Sequence, residues 1–249
     1  MEKIAIKLGG SIITDKGSEI PKARVDVINR LVKEIYESGK IPFFIANGAG
    51  SFGHQLAKEY FEGKLKNPVD IHESVVSLHE IVVEKAEKNN LKMESVSPLE
   101  TCKETKKGIE LSKFFAKAEK ILEGKKIVAS YGDMIPSYDN RYKVLSADVL
   151  TVKMAKRFGA DKIIMVAYVD GVLDESGRVV EELSITDKIP KYYGNGGADV
   201  TGGFEEKIRL LQEAAGDGID CYIIGGMIKN NLKNYLLGKE SVGTSIFGK

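Results

Sequence analysis

The N-terminal part of the chain sets two short apolar runs around one amphipathic stretch, and each run ends in glycine. Lys3 to Leu8 alternates, reads as a strand and closes at Gly9-Gly10-Ser11. Val25, Ile28, Leu31, Val32 and Ile35 recur at helical spacing, with Gly39 as a stop. Ile41-Pro42-Phe43-Phe44-Ile45-Ala46 reads as a second, buried strand. It opens onto Asn47-Gly48-Ala49-Gly50-Ser51-Phe52-Gly53-His54 and a helical segment from Gln55 to Phe61. Strand, loop and helix in that repeated order predict a mainly parallel sheet with helices on its faces, because parallel neighbours need crossovers. Such sheets bind ligands beyond the carboxyl ends of their strands, where both glycine turns fall.

The rhythm continues. Asp70 to about Asn90 predicts a helix with Val75, Leu78, Val82 and Ala86 on one side, and Leu111, Phe114, Phe115, Ala118, Ile121 and Leu122 predict another. Val96 to Glu100 is read as a short strand between them, and Lys125 to Ser130 as a strand followed by a hairpin through Asp139-Asn140. Asp148 is read as the cap of a helix ending at Phe158. Lys162 to Val169 is β-branched and strand-like, ending at Asp170-Gly171, and Asp174 to Gly177 has turn chemistry. Asp199-Val200-Thr201-Gly202-Gly203 leads into a helix from Phe204 to Ala215, followed by strand, helix and strand near Cys221, Leu232 and Ser245. No repeat or Pro-rich linker interrupts this, so two lobes sharing one sheet are expected, with a soft boundary in the 130s or 140s.

With 249 residues and 43% hydrophobic content, the chain can bury a sizeable core. Lys+Arg 37 against Asp+Glu 36 gives a net charge of +1, which points to neither nucleic acid nor a membrane surface. Met1-Glu2-Lys3-Ile4-Ala5 runs straight into a strand, leaving no room for a signal peptide, and no apolar run is long enough to span a bilayer. Cys102 and Cys221 lack CxxC partners and read as structural thiols of a reducing compartment. A cytoplasmic protein is expected.

Within the second loop, Gly48, Gly50 and Gly53 let the backbone approach a ligand and turn N–H groups toward it, and the helix start behind them favours an anion. His54 adds a side-chain donor. The plainer reading is close packing of strand and helix. Lys7, in an apolar strand, needs a partner for its charge, and Lys16 follows the first turn; a lysine beside such a turn neutralises phosphate as a compact point charge. There is no Gly-x-x-x-x-Gly-Lys-Ser/Thr and no Gly-x-Ser-x-Gly elbow, which disfavours a P-loop enzyme and a hydrolase. Gly48 to Gly53 matches the dinucleotide glycine spacing, yet it follows the second strand without an acidic partner at the expected distance.

Taken in order, Lys7-Leu8-Gly9-Gly10-Ser11, the second glycine loop, Ser146-Ala147-Asp148, Val169-Asp170-Gly171-Val172 and Asp199-Val200-Thr201-Gly202-Gly203 with Lys207 resemble the amino acid kinase superfamily. Gly53-His54, Lys16 and the Asp-Val-Thr-Gly-Gly…Lys run are most similar to its isopentenyl phosphate kinases. The resemblance implies a three-layer αβα sandwich around a mainly parallel sheet. It implies an N-terminal lobe, 1–135, for the phosphate acceptor and a C-terminal lobe, 136–249, for the nucleotide. It implies transfer of the γ-phosphoryl group of ATP, with Mg²⁺, to isopentenyl phosphate, in a homodimer.

By the same resemblance, His54 binds the acceptor phosphate, cradled by Gly48, Gly50 and Gly53. Lys7 and Lys16 bridge acceptor and transferring group, Lys207 reaches the nucleotide phosphates, and Asp148 orients the lysines. Gly9, Gly10, Ser11, Ala49, Asp170, Gly171, Gly202 and Gly203 border the nucleotide, and the stripes on the 70–90 and 108–122 helices wall, in part, an isoprenoid tail. The chain departs from the family in four places. Asn47-Gly48-Ala49-Gly50 replaces His-Gly-Gly-Gly, Tyr131 replaces a histidine, and Val149 and Tyr168 stand where carboxylates are usual. Two alternatives remain open from the residues: a same-fold kinase for a phosphonate such as fosfomycin or another acceptor, and a nucleotide-binding regulator without catalysis.

Overall fold

Strand residues alternate between two apolar layers, and that alternation builds the molecule. The computed structural model describes residues 2–15, 17, 18, 20–190 and 203–248. In chain order the first elements are β1 (Ile4–Leu8), α1 (Gly10–Ile13), α2 (Val25–Glu37), β2 (Phe44–Asn47), a 3₁₀ turn at Gly50–Phe52, α3 (His54–Phe61) and α4 (Pro68–Lys88). Then come β3 (Met93–Ser95), α5 (Pro98–Thr101), β4 (Lys103–Thr105), β5 (Gly108–Glu110), α6 (Ser112–Glu123), β6 (Ile127–Tyr131), β7 (Asp133–Pro136) and β8 (Tyr142–Leu145). The chain closes with α7 (Ala147–Phe158), β9 (Lys162–Ala167), β10 (Glu182–Ser184), α8 (Gly203–Gly216), β11 (Asp220–Gly225), α9 (Asn231–Leu236) and β12 (Gly243–Phe247).

Eight strands form one sheet in the order β10-β12-β11-β9-β1-β2-β6-β3. All neighbours are parallel except β11 and β12. On one face Ala5, Phe44, Val128, Ile163 and Cys221 pack against Phe114 of α6, Leu150 and Met154 of α7 and Ile208 of α8. On the other, Ile4, Ile6, Ile45 and Ile164 pack against Leu31 of α2, Leu78 and Val82 of α4 and Leu232 of α9. Side chains of a strand point alternately to its two sides, so one strand feeds both layers. The αβα sandwich is therefore as expected, and the sheet is continuous through both halves of the chain.

Two local expectations fail. Val96 to Glu100 is not a strand: the strand is β3, and Ser97-Pro98 then opens the short α5. Proline at the first helical position has its φ preset and lacks an N–H that would be orphaned there. Asp148 is not the cap of α7; Ser146 is, its Oγ accepting from the Val149 N–H at 3.2 Å. That frees the Asp148 carboxylate for another task. The β7–β8 hairpin stands apart from the central sheet, and so does β4–β5. No helix among the described residues is long and apolar enough to cross a membrane, and both cysteines are buried and free.

Candidate active site

Parallel strands that share one direction leave their carboxyl ends at one edge. Gly9 after β1, Gly48 after β2, Gly132 after β6 and Ala167 at the end of β9 all line one cavity of about 560 Å³ there, a size typical of small-molecule sites. The chain leaves β1 toward β2 on one side, while β9 lies on the other, so this is the point where strand order reverses.

Two sets of side chains meet in the cavity. The first is charged: Lys7 from β1, Asp148 from α7, Lys207 from α8 and His54 at the start of α3. Lys7 is only 6% exposed, so its ammonium requires the partner that the apolar strand withholds. Asp148 supplies it, Oδ1 lying 2.7 Å from Lys7 Nζ, while Oδ2 lies 3.8 Å from Lys207 Nζ. Burial alone would raise the Asp148 carboxyl, but Lys7, Lys207 and, more weakly, His54 pull it below the ordinary carboxylate value. One carboxylate thus aligns two ammonium groups at the cavity wall. The Phe204 ring, 5.0 Å from Lys207 Nζ, supports the second ammonium from behind. Gly9, Gly10, Ser11, Ala49, Gly53 and Gly203 also line the cavity.

The glycines do more than approach a ligand. A Cβ on Gly48 would lie 2.7 Å from Gly10 N, and one on Gly10 would collide with Gly50 N. The two turns are pressed together, as the packing reading expects. Gly50, with φ +52° and Thr14 where a Cβ would go, faces this seam and does not line the cavity. Ala49 lines it, and its methyl sits 2.5 Å from where a Gly53 Cβ would be, so Gly53 makes room for the extra carbon. Asp170 and Gly171 lie off the cavity: Asp170 packs on Gly225, and Gly171 against Thr244 and Val179. Lys16 and Gly202 lie outside the described residues.

The second set is apolar: Ala57 of α3, Ile71 and Val75 of α4, Met134 of β7, Val144 of β8 and Leu210 of α8. Met134 and Val144 are directly paired across the hairpin. Of the two helical stripes expected to wall this space, the α4 stripe contributes Ile71 and Val75. The 108–122 stripe contributes nothing. Phe114, Ala118 and Ile121 of α6 are core residues against the sheet.

Behind the glycine loop lies a network that sequence reasoning missed. His79 is buried; its Nδ1 is 2.7 Å from Asn47 Oδ1 and its Nε2 2.8 Å from Ser95 Oγ. Burial holds its pKa down to about 3, so it is neutral and carries one ring proton. Tyr131 stacks against it, ring centroids 4.5 Å apart. Asn47 and Tyr131, two departures from the family pattern, are thus partners of one buried imidazole. His72 Nδ1 lies 2.8 Å from Oδ2 of Asp133, a buried residue lining the cavity. Burial raises the Asp133 carboxyl above the usual range despite His72 and the Met134 and Leu99 N–H groups that face it. The signal was available: the chain has only three histidines, and two of them share one face of α4 about two turns apart.

The amino acid kinase family model matches residues 2–225. An isopentenyl phosphate kinase from Methanothermobacter thermautotrophicus is 30% identical over 99% of this chain and 99% of its own length. One from Haloferax volcanii is 29% identical over the full length of both. An X-ray structure of isopentenyl phosphate kinase superposes with a TM-score of 0.83, at 25% identity, over 98% of this chain and 100% of that one.

Proposed function

The chain belongs to the amino acid kinase family, and on that premise we propose that it transfers the γ-phosphoryl group of ATP to isopentenyl phosphate, giving isopentenyl diphosphate and ADP. One observation carries this reading. A cationic cluster and an apolar wall of Ile71, Val75, Met134 and Val144 share a single cavity, which suits a molecule with a phosphate head and a hydrocarbon tail.

The acceptor oxygen is already ionised, so the reaction needs no strong general base. Catalysis reduces to bringing two phosphate-bearing molecules in line and neutralising charge as it spreads over the transferred group. In this proposal His54 donates to the acceptor phosphate, and the Gly48 and Gly53 backbone shapes its seat. Lys7 lies between acceptor and transferred group, and Lys207 on the nucleotide side. Asp148 keeps both ammonium groups aimed inward. Gly9, Gly10 and Ser11 border the ATP phosphates. The acceptor then occupies mainly the 1–135 lobe and the nucleotide the 136–249 lobe.

Among the described residues there is no group of three or more His, Cys, Asp or Glu side chains that would hold a metal ion. Magnesium is commonly held by phosphates, water and one or two carboxylates, so in this proposal Mg²⁺ comes in on ATP. Glu206 lines the cavity one residue before Lys207 and is the carboxylate not engaged by Lys7 or His72. Bound there, the ion would neutralise β- and γ-phosphate charge. A cytoplasmic homodimer completes the proposal, and light scattering tests the assembly.

The test is an ADP-release assay with isopentenyl phosphate, dimethylallyl phosphate, UMP, fosfomycin and acetylglutamate. Turnover with the prenyl phosphates is expected. Turnover confined to fosfomycin or UMP transfers the reading to those acceptors. MgATP binding by calorimetry without turnover on any acceptor would overturn the kinase reading in favour of a regulator.

A further inference from the structure

The β7–β8 hairpin forms one wall of the apolar region, yet it hydrogen-bonds to no strand of the central sheet. An isolated two-stranded hairpin is marginal by itself, so side-chain contacts must fix where Met134 and Val144 stand. At its far end, Ser137 Oγ and Lys143 Nζ reach Glu104 at 2.7 and 2.6 Å. At the cavity end, Asp133 is held by His72.

Helix α4 carries the opposite wall, Ile71 and Val75, and is fastened to the cavity's rim at three points. His79 holds Asn47 at the end of β2, and the Ser74 hydroxyl donates to the Phe52 carbonyl in the glycine loop at 2.7 Å. The third fastening is His72 to Asp133 at 2.8 Å, joining the first turns of α4 to the start of β7. Of the three, only this one ties the two apolar walls directly to each other. The Asp133 side chain is fully buried and that of His72 is 20% exposed. A buried carboxylate is a costly way to fill space, since desolvation of an ion is worth several kcal/mol. The Met134 N–H orients the carboxylate from within the hairpin at 2.8 Å, while its bonds to His72 of α4 and the Leu99 N–H of α5 fix a position that apolar packing would leave free to slide.

We propose that His72 is a positioning residue for the acceptor: through Asp133 it clasps the β7–β8 hairpin to α4 and sets the width of the space that takes the hydrocarbon tail. This rests on the proposed acceptor. His72 does not line the cavity, so its effect passes through the hairpin.

The experiment compares wild type with His72→Ala, His72→Gln and Asp133→Asn. Gln retains an N–H that reaches a carboxylate, and Asp133→Asn preserves side-chain volume should His72→Ala fail to fold. In His72→Ala the KM for isopentenyl phosphate should rise about tenfold, equivalent to about 1.4 kcal/mol. KM for ATP and kcat should stay within about twofold, and the preference for isopentenyl over geranyl phosphate should narrow. His72→Gln should recover much of the loss. Equal shifts in both KM values, or an unchanged chain-length preference, would overturn the clasp. Amide hydrogen exchange in the unliganded protein separates this failure from failure of the acceptor reading. Exchange in residues 133–136 should quicken in His72→Ala and return in His72→Gln, and unchanged exchange refutes the clasp whatever the acceptor. If wild type rejects prenyl phosphates, the acceptor reading falls, and the same KM comparison runs with the acceptor it does take.

Discussion

Two carboxylates line the same cavity, Asp133 fully buried and Asp148 half-buried, and they are driven in opposite directions. Asp148 sits between Lys7 and Lys207 and is pulled below the ordinary carboxylate value despite burial. Asp133 meets one imidazole and two backbone N–H groups, and burial prevails, raising it. Burial opposes ionisation at both sites; the number of full cationic charges nearby decides which way the balance falls. The cationic region of the cavity is therefore electrostatically committed before any substrate arrives. The apolar region is held by packing, by the Asp133–His72 hydrogen bond and, at the hairpin's far end, by the Glu104–Lys143 ion pair; under the proposed function, chemistry belongs to the first region and choice of acceptor to the second.

The largest break in that contrast is Asp148→Asn. It removes the Asp148 carboxylate from the buried Lys7 ammonium, and a buried pair that loses one partner costs about 3–5 kcal/mol. It also releases the alignment of both ammonium groups, for which a fall in kcat of roughly 10²–10³ is expected by analogy with loss of one transition-state donor. Because the folded-state value of Asp148 is depressed, its contribution is full above the unfolded value of 3.8 and fades as pH falls through the folded value. Denaturant melts of wild type and variant should accordingly converge in strong acid and separate near neutrality. Equal separation at every pH would refute the ion-pair account.

Next in size is Gly48→Ala. The new methyl meets Gly10 N at 2.7 Å, a backbone atom that cannot swing aside. About 1–3 kcal/mol of stability should be lost, with a weaker acceptor KM because the two turns are forced apart. Thermal melting and steady-state kinetics check both.

His79→Gln tests the network behind the loop. The folded protein holds His79 near 3 while the unfolded chain titrates at 6.5. The unfolded state therefore takes up a proton that the folded state refuses, and stability falls as pH drops from about 6.5 toward 3. The variant should show a flatter acid limb in Tm measured between pH 3 and 8. An unaltered limb would place the proton uptake elsewhere.

The smallest effect is expected from Asp133→Asn, and its pH dependence has the opposite sign to that of Asp148→Asn. A carboxyl raised by folding costs stability as pH rises past its unfolded value of 3.8. Relative to wild type, the variant should thus gain as pH rises, with a net change of about one hydrogen bond, ~0.5–1.5 kcal/mol, because Asn keeps the volume and no ammonium loses its partner. A loss that deepens with pH would mean that the Asp133–His72 pair is governed by charge attraction, as the Asp148 cluster is.

Much of the cationic region was legible because its residues come from strand ends and helix starts that local pattern reveals. Lys7 stood out as a charge within an apolar strand, and its partner Asp148 stood in a recognisable Ser146-Ala147-Asp148 run. The capping role was misassigned because Ser146 and Asp148 are both competent caps, and only the burial of Lys7 shows which of them has other work. The helical stripes were legible as amphipathic, but periodicity does not say what an apolar face touches. α4 turned part of its face to the cavity, and α6 turned all of its face to the sheet. Gly50, Asp170 and Gly171 lie close in sequence to cavity residues yet face elsewhere, since adjacent residues in a strand or turn point in different directions.

The sequence by itself determined the parallel αβα sandwich and the family, because alternation, helical periodicity and an ordered set of short motifs are all local in the chain. It also carried the loop that opens at Asn47 and ends at His54, and the lysine that needed a partner. Only the tertiary structure decided that Gly10 and Gly48 abut, that His79 braces Asn47, and that His72 holds Asp133 against α4. Those contacts join residues far apart in sequence through side-chain geometry. No periodicity records such contacts, because they exist only once the sheet has brought its strand ends to one edge.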